Sequence, residues 1–167
     1  MINILRVDDR LVHGQVVMQW TGRYGIEAIV VANDMCASDQ VRVMAAKMAA
    51  PPNVKVVVKT IDDAIKVLNN PQGDSMKMMV ICNCVEDALK VCEGTKKVQR
   101  VNLGNYGFKF VGTKPGFEPE NVVSVAKDVV LGKDDQKCVN KMIEMGVPVD
   151  AQNTPQSGTN EVKSFVI

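Results

Sequence analysis

The sequence predicts an α/β fold: a doubly wound, mainly parallel sheet with helices on both faces. Three observations predict it. Short β-branched runs alternate with longer amphipathic runs, the pattern of βαβ units. The runs Ala28–Ala32 and Met78–Cys82 are apolar throughout, as strands covered on both faces are. No linker, repeat or low-complexity segment divides the 167 residues, which read as one domain, 1–167, with a polar and mobile tail from about residue 153.

The elements follow in order. Ile2 to Val7 reads as the first strand. Gln15 to Tyr24 reads as a helix, with Val16, Val17 and Trp20 on one face and Gly22 and Gly25 near its end. Ala28–Ala32 is the second strand, ended by Asn33 and Asp34. Ser38 caps the next helix, whose stripe is Val41, Met44, Ala45 and Met48; Pro51-Pro52 stops it. Val54 to Lys59 is the third strand. Thr60 caps a helix through Leu68 with Ile61, Ala64, Ile65 and Leu68 inward. After a polar loop, Met78 to Cys82 is the fourth strand, Val85 to Val91 a short helix, and Val98 to Leu103 the fifth strand. Gly104 to Phe108 and Gly112 to Gly116 read as loop and turn. Val122 to Val125 reads as a strand continuing toward Leu131. Lys133 to Met145 is a helix with Cys138, Met142 and Met145 inward, closed by Gly146, and Val147-Pro148-Val149 opens a last strand.

Bulk composition narrows the function. The chain is 46% hydrophobic and 23% charged, with 20 basic and 19 acidic residues and a net charge of +1. That balance argues against nucleic acid as the main partner. At this size roughly two-thirds of the unfolded surface can be buried, so no disulfide or metal staple is needed. The five cysteines are odd in number and lie in apolar or helical runs, which points to reduced, partly buried thiols in a cytoplasmic protein. The chain enters a strand-like run at residue 2, so no signal peptide is expected, and no apolar run approaches the ~20 residues of a membrane span. Cys82-Asn83-Cys84 is a weak metal signal without a second pair, and no metal is expected.

The densest chemistry lies in Arg6-Val7-Asp8-Asp9-Arg10-Leu11-Val12-His13-Gly14-Gln15, which holds the only histidine. Ligands of open α/β sheets bind outside the carboxyl ends of the strands. That rim would carry residues 8–14 with Asn33, Asp34, Thr60, Asn83, Gly104 and Asn105. An imidazole with a pKa near ~6.5 is largely neutral at pH 7 and can attack phosphorus. Its other nitrogen must hold a proton against an acceptor, which Asp8, Asp9 or a backbone carbonyl could supply. Arg10, three residues before His13, has a planar fork suited to phosphate oxygens. Gly14 lets the backbone approach a ligand, and the helix beginning near Gln15 turns free N–H groups toward a dianion. Against this stand plainer readings: a surface histidine, an Arg6 paired with Asp8 or Asp9 on the surface, Asp8-Asp9 as turn residues, Trp20 as core and the methionines as helix-face packing.

At this stretch the sequence resembles the IIB components of the mannose/sorbose-type sugar phosphotransferase system. The string Arg6 to Val16 with Gln19-Trp20 carries the likeness, joined by Ile29 to Asp34, Asp39 and Gly146 to Val149, over essentially the whole chain. The resemblance implies a single IIB domain and a protein-Nπ-phosphohistidine–sugar phosphotransferase. His13 would be phosphorylated at Nδ1 by the phosphorylated IIA component and would pass the group to a sugar held by the IIC and IID membrane components. It implies Arg10 as the residue stabilising the phosphoryl group and Asp8 as an acidic loop position. Asp9, Gly14, Gln15, Asn33 and Asp34 would surround the pocket. No cofactor beyond the transient phosphoryl group on His13 is implied, and the place of work is the cytoplasm, peripheral to the membrane permease. One departure concerns the loop after the fifth strand, where the family often has Gly-Gly with Met and this chain has Gly104-Asn105-Tyr106. The alternative is a phosphoaspartate module of receiver type, weakened because the third and fourth strands end in Lys59-Thr60 and Cys82-Asn83. A nucleotide-binding enzyme ranks lower, since neither a Gly-x-Gly-x-x-Gly nor a Gly-Lys-Ser/Thr loop is present.

Overall fold

Alternation along the strands sorts the side chains onto two faces, and the two faces become two cores. The computed structural model describes residues 1–167. Its strands are β1 (Ile2–Asp8), β2 (Ala28–Ala32), β3 (Lys55–Lys59), β4 (Met78–Cys82), β5 (Val101–Asn105), β6 (Val123–Ala126), β7 (Val129–Leu131), β8 (Val149–Ala151) and β9 (Asn160–Glu161). Its helices are α1 (Gly14–Tyr24), α2 (Asp34–Ala37), α3 (Gln40–Ala49), α4 (Ile61–Leu68), α5 (Val85–Gly94) and α6 (Lys133–Glu144). The main sheet has seven strands in the order β3-β2-β4-β1-β5-β8-β9. All its pairings are parallel except that of β9 with β8.

From β1 the chain steps one way, to β2 and β3, and from β3 it returns across β4 and β5 to β8. Right-handed crossovers then place α1 to α3 on one face and α4 to α6 on the other. The cores agree. Ile4, Ile29, Val31, Met79 and Ile81 pack with Val17, Trp20 and Cys36 from α1 and α2. Leu5, Val7, Val30, Val80, Val101 and Leu103 pack with Leu68, Ala88, Val139 and Met142 from α4 to α6. Because the two directions of winding diverge beside β1, the carboxyl ends of β1 and β4 open a crevice.

Several expectations change. Ser38 does not cap the third helix; Asp39 does, its carboxylate accepting from the N–H groups of Val41 and Arg42. The reason is an extra short helix, α2, started by Asn33 Oδ1 accepting from Cys36 N, whose last turn uses up Ser38. Val41, Met44 and Met48 face solvent at 76%, 61% and 82% exposure, and Ala46 is the buried residue of α3. This helix lies at the edge strand β3, where no further layer covers it. The methionines divide likewise: Met78, Met79 and Met142 are buried, while Met18, Met35 and Met145 are exposed.

Gly104 and Asn105 belong to β5, not to the loop after it, because β5 follows β1 to its end and Asp8 pairs with Asn105. Val122 to Leu131 is a hairpin, β6 turning at Lys127-Asp128 into β7, apart from the main sheet. The tail is held: Asn160–Glu161 pairs with β8, Val162 is buried, and the Asn140 side chain bonds both N and O of Phe165.

Gly107 fastens the hairpin. Its φ is +85°, and a Cβ there would lie 1.8 Å from the Val130 carbonyl oxygen. Gly107→Ala is therefore expected to lower the unfolding free energy by roughly 1–3 kcal/mol. A urea midpoint that does not fall, at unchanged slope, would contradict this.

Candidate functional site

β1 delivers its last three residues to the rim in an alternating way. Ile4, Arg6 and Asp8 point to the α1 face, and Leu5 and Val7 to the other. Asp8 is 1% exposed and its carboxylate is fully engaged. Oδ1 accepts from Arg10 N at 3.1 Å and Arg10 Nε at 3.0 Å; Oδ2 accepts from Arg10 Nη2 and Arg6 Nη2, both at 3.0 Å. One carboxylate thus holds two guanidiniums. The bond to Asp8 raises the Arg10 pKa above its usual value, and burial lowers that of Arg6, with Asp8 opposing.

The turn is closed by Leu11 N donating to Asp8 O at 2.9 Å. Leu11 has φ +58°, a left-handed conformation that costs a β-carbon residue roughly 1–2 kcal/mol. Leu11 and Val12 pack on the α1-side core, which anchors a loop that is otherwise polar. His13 follows, exposed, in extended backbone geometry as the N-cap of α1. Its carbonyl accepts from Val17 N, but its side chain caps nothing, and no acidic residue lies in the first turn. The free N–H groups of that turn therefore open beside the imidazole.

Asp9 is held from β5 and beyond. Its Oδ1 accepts from Asn105 Nδ2 at 3.0 Å, its Oδ2 pairs with Lys109 Nζ at 3.1 Å, and its N–H donates to Asn105 O. Both carboxylates are thus committed elsewhere, and neither hydrogen-bonds His13. The expected carboxylate support for the ring is replaced by carboxylate support for the loop. Gly14 has no left-handed backbone; a Cβ there would sit 3.4 Å from Ala49 O. Gln15 is exposed.

Asp9, Arg10, Leu11, Val12, Asn33, Met35, Arg42 and Asn83 line most of a cleft of about 320 Å³ at this rim. Asn33 reaches it while capping α2. Asp34 turns away, its Oδ1 accepting from Ile61 N at the start of α4. Thr60 likewise caps α4. Asn105 stands at the rim as the sequence predicts, while Arg6, Asn102 and Lys109 are site neighbours to which the sequence assigns no role in the pocket. For Arg6 the available signal was its parity with Ile4 and Asp8, which puts it on a buried face. The Cys82-Asn83-Cys84 thiols are inert neighbours: burial pushes Cys82 well up and Cys84 up to about 12.

Comparison with known proteins now decides the family. The description "PTS system sorbose subfamily IIB component" matches residues 2–167. The chain belongs to this family. It is 32% identical over 145 residues to a probable phosphotransferase enzyme IIB component of Streptococcus pyogenes, covering 87% of this chain and 86% of that one. It is 35% identical over 129 residues to the mannose-specific EIIAB component of Escherichia coli, covering 77% of this chain and 39% of that longer protein. Among solved structures, the IIBSor domain of the Klebsiella pneumoniae sorbose permease superposes with a TM-score of 0.81 at 26% identity, covering 95% of this chain and 91% of that one.

As a IIB component of the sugar phosphotransferase system, the chain is a phosphotransferase, and its Arg6–Asp8–Arg10 ion cluster lies in the same stretch as His13. Breaking that cluster at its centre leaves the buried Arg6 without its hydrogen-bonded counter-charge. Asp8→Asn is expected to cost roughly 3–5 kcal/mol of stability. Chemical denaturation checks it; a loss below about 1 kcal/mol would show that Arg6 is satisfied by its neutral partners alone.

Proposed function

We propose that this IIB component accepts a phosphoryl group on His13 from a phosphohistidine of a IIA component. It then hands the group to a sugar held by the IIC and IID membrane components. The observation that carries this reading is the exposed imidazole at the uncapped N-terminus of α1, outside the carboxyl end of β1. In the first step an N–P bond forms at His13 while the donor's N–P bond breaks, its electron pair returning to the donor imidazole. In the second, a sugar hydroxyl forms an O–P bond as the His13 N–P bond breaks, and the hydroxyl proton leaves with the released imidazole. The group in flight spreads charge over its oxygens, so the work of the protein is electrostatic positioning.

Local charge supports that work. Arg6, Arg10 and Lys109 face Asp8 and Asp9 at a loop whose helix terminus also favours an anion. Arg10 uses Nε and Nη2 on Asp8, so Asp8 fixes the plane of the fork while its remaining edge stays available for phosphoryl oxygens. Asp9, Gly14, Gln15 and Asn33 shape the surroundings and do not carry the group, and Asp34 instead holds the start of α4. No cofactor takes part beyond the transient phosphoryl group. No helix is long and apolar enough to cross a membrane, which fits a protein that reaches the sugar by docking on its membrane components in the cytoplasm. The receiver-type alternative finds no support at the strand ends, where Thr60 is a helix cap and Asn83 a neutral amide.

Incubation with a phosphorylated IIA protein should add one phosphoryl mass, stable to base and labile to acid, and His13→Ala should remove it without loss of folding. A base-labile adduct, or labelling that survives His13→Ala, defeats the reading. Arg10→Lys keeps the charge and loses the fork; transfer should slow by roughly 100-fold. An undiminished rate would exclude Arg10 from the mechanism.

A further inference from the structure

We infer that Arg6 is a positioning residue for phosphoryl transfer: buried beneath the loop, it fixes Asp8 and, through Asp8, the plane of the Arg10 fork. The inference rests on the reading of His13 and Arg10 given above. Arg6 is 1% exposed, and each terminal nitrogen of its guanidinium makes two hydrogen bonds. Nη1 donates to Asn102 Oδ1 at 2.7 Å and to Gln152 O at 3.1 Å. Nη2 donates to Asp8 Oδ2 at 3.0 Å and to Asn153 O at 3.1 Å. The Trp20 ring lies 5.2 Å from Cζ, and its indole N–H donates to the same Asn153 carbonyl. Asn102 is itself held by Asp150, at 2.6 Å.

This arrangement is built in rather than incidental. Its donors and acceptors come from β1, β5, β8 and the chain just beyond β8. The backbone of β5 makes room for it: a Cβ on Gly104 would fall 2.0 Å from Arg6 Cζ and 2.1 Å from Nη2. Stability alone does not explain such a residue. Buried ion pairs are often replaceable by apolar side chains of similar volume at no cost. What Arg6 supplies is direction. Asp8 has two oxygens and four donors, three of them from Arg10. Arg10 lies on the partly exposed side of that carboxylate. Only Arg6 opposes it from the buried side, so without Arg6 the carboxylate can rotate and carry the fork with it. Displacement of a positioning group by about 1 Å can cost on the order of 100-fold in rate.

The test uses the full chain with phosphoramidate as a small-molecule phosphoryl donor, read by intact mass in single turnover. Arg6→Met removes the guanidinium; Gly104→Ala keeps Arg6 and displaces it. Both should lower the maximal transfer rate by roughly 10- to 100-fold, with the half-saturating phosphoramidate concentration unchanged. The Arg6→Met/Arg10→Met double variant should be no slower than Arg10→Met alone, because Arg6 acts through Arg10. In ¹⁵N NMR the Arg10 Nε–H signal should be protected from exchange in the parent chain by its bond to Asp8 and should lose that protection in both single variants. Folded Arg6→Met or Gly104→Ala protein that transfers at the parent rate overturns the inference, as does a defect that multiplies with that of Arg10→Met. If the parent chain takes no phosphoryl group on His13, the functional reading fails. The NMR arm then still decides the positioning claim, and unchanged Arg10 Nε–H exchange in both variants overturns it.

Discussion

The Asp8 carboxylate, shared by Arg6 and Arg10, is the interaction on which the rest of the site depends. Its three bonds to Arg10 fold the turn back over the end of β1, and its bond to Arg6 ties that turn to the sheet beneath. Asp8 alone bonds both guanidiniums, and Asp9 is matched by Lys109, so every carboxylate of the loop is held by a cation.

The loop also carries backbone strain, and packing opposes it. Leu11 at φ +58° would favour a different turn if it were free. Three contacts prevent that: Leu11 N on Asp8 O, Leu11 and Val12 against the α1-side core, and Val17 N on His13 O. The result sets His13 just before the first turn of α1 with nothing capping that turn. A serine or aspartate at the same position would satisfy the free N–H groups and stabilise the helix by about 1 kcal/mol. Histidine leaves them open, a local weakness in the helix beside the imidazole.

What the sequence made legible was whatever depends on short range. Uninterrupted apolar runs marked β2 and β4 correctly, and the β1 loop fell at the carboxyl rim because α/β winding requires it. Thr60 was readable as a cap because cap and helix adjoin. The pairing of Arg6 with Asp8 was readable too, but its burial was not, since its other partners lie 96 and 146 residues away and a charged residue in a strand reads by default as exposed. Ser38 and Asp39 compete for one role, and only the length of α2 settles which wins. Val41, Met44 and Met48 show helical spacing yet stay exposed, because spacing reports an apolar stripe and not whether another element covers it. The tail looked mobile from its polarity; β8 offered it an edge, and the Val162 side chain a place in the core.

The end of β5 serves the same geometry: Gly104 has no side chain, and that is what admits the Arg6 guanidinium. No such demand falls on position 105, where the side chain lies beside Asp9. Asparagine there donates its amide to Asp9 while its backbone oxygen accepts from Asp9 N–H, so two bonds join the end of β5 to the loop of β1. Lys109 adds a third link from the following turn, exposed and correspondingly weak. Asn105 is therefore a clasp between the two strand ends. It stiffens the rim on the β5 side while leaving the Asp8 cluster untouched, and it couples the Asn105–Lys109 segment to the loop that bears His13.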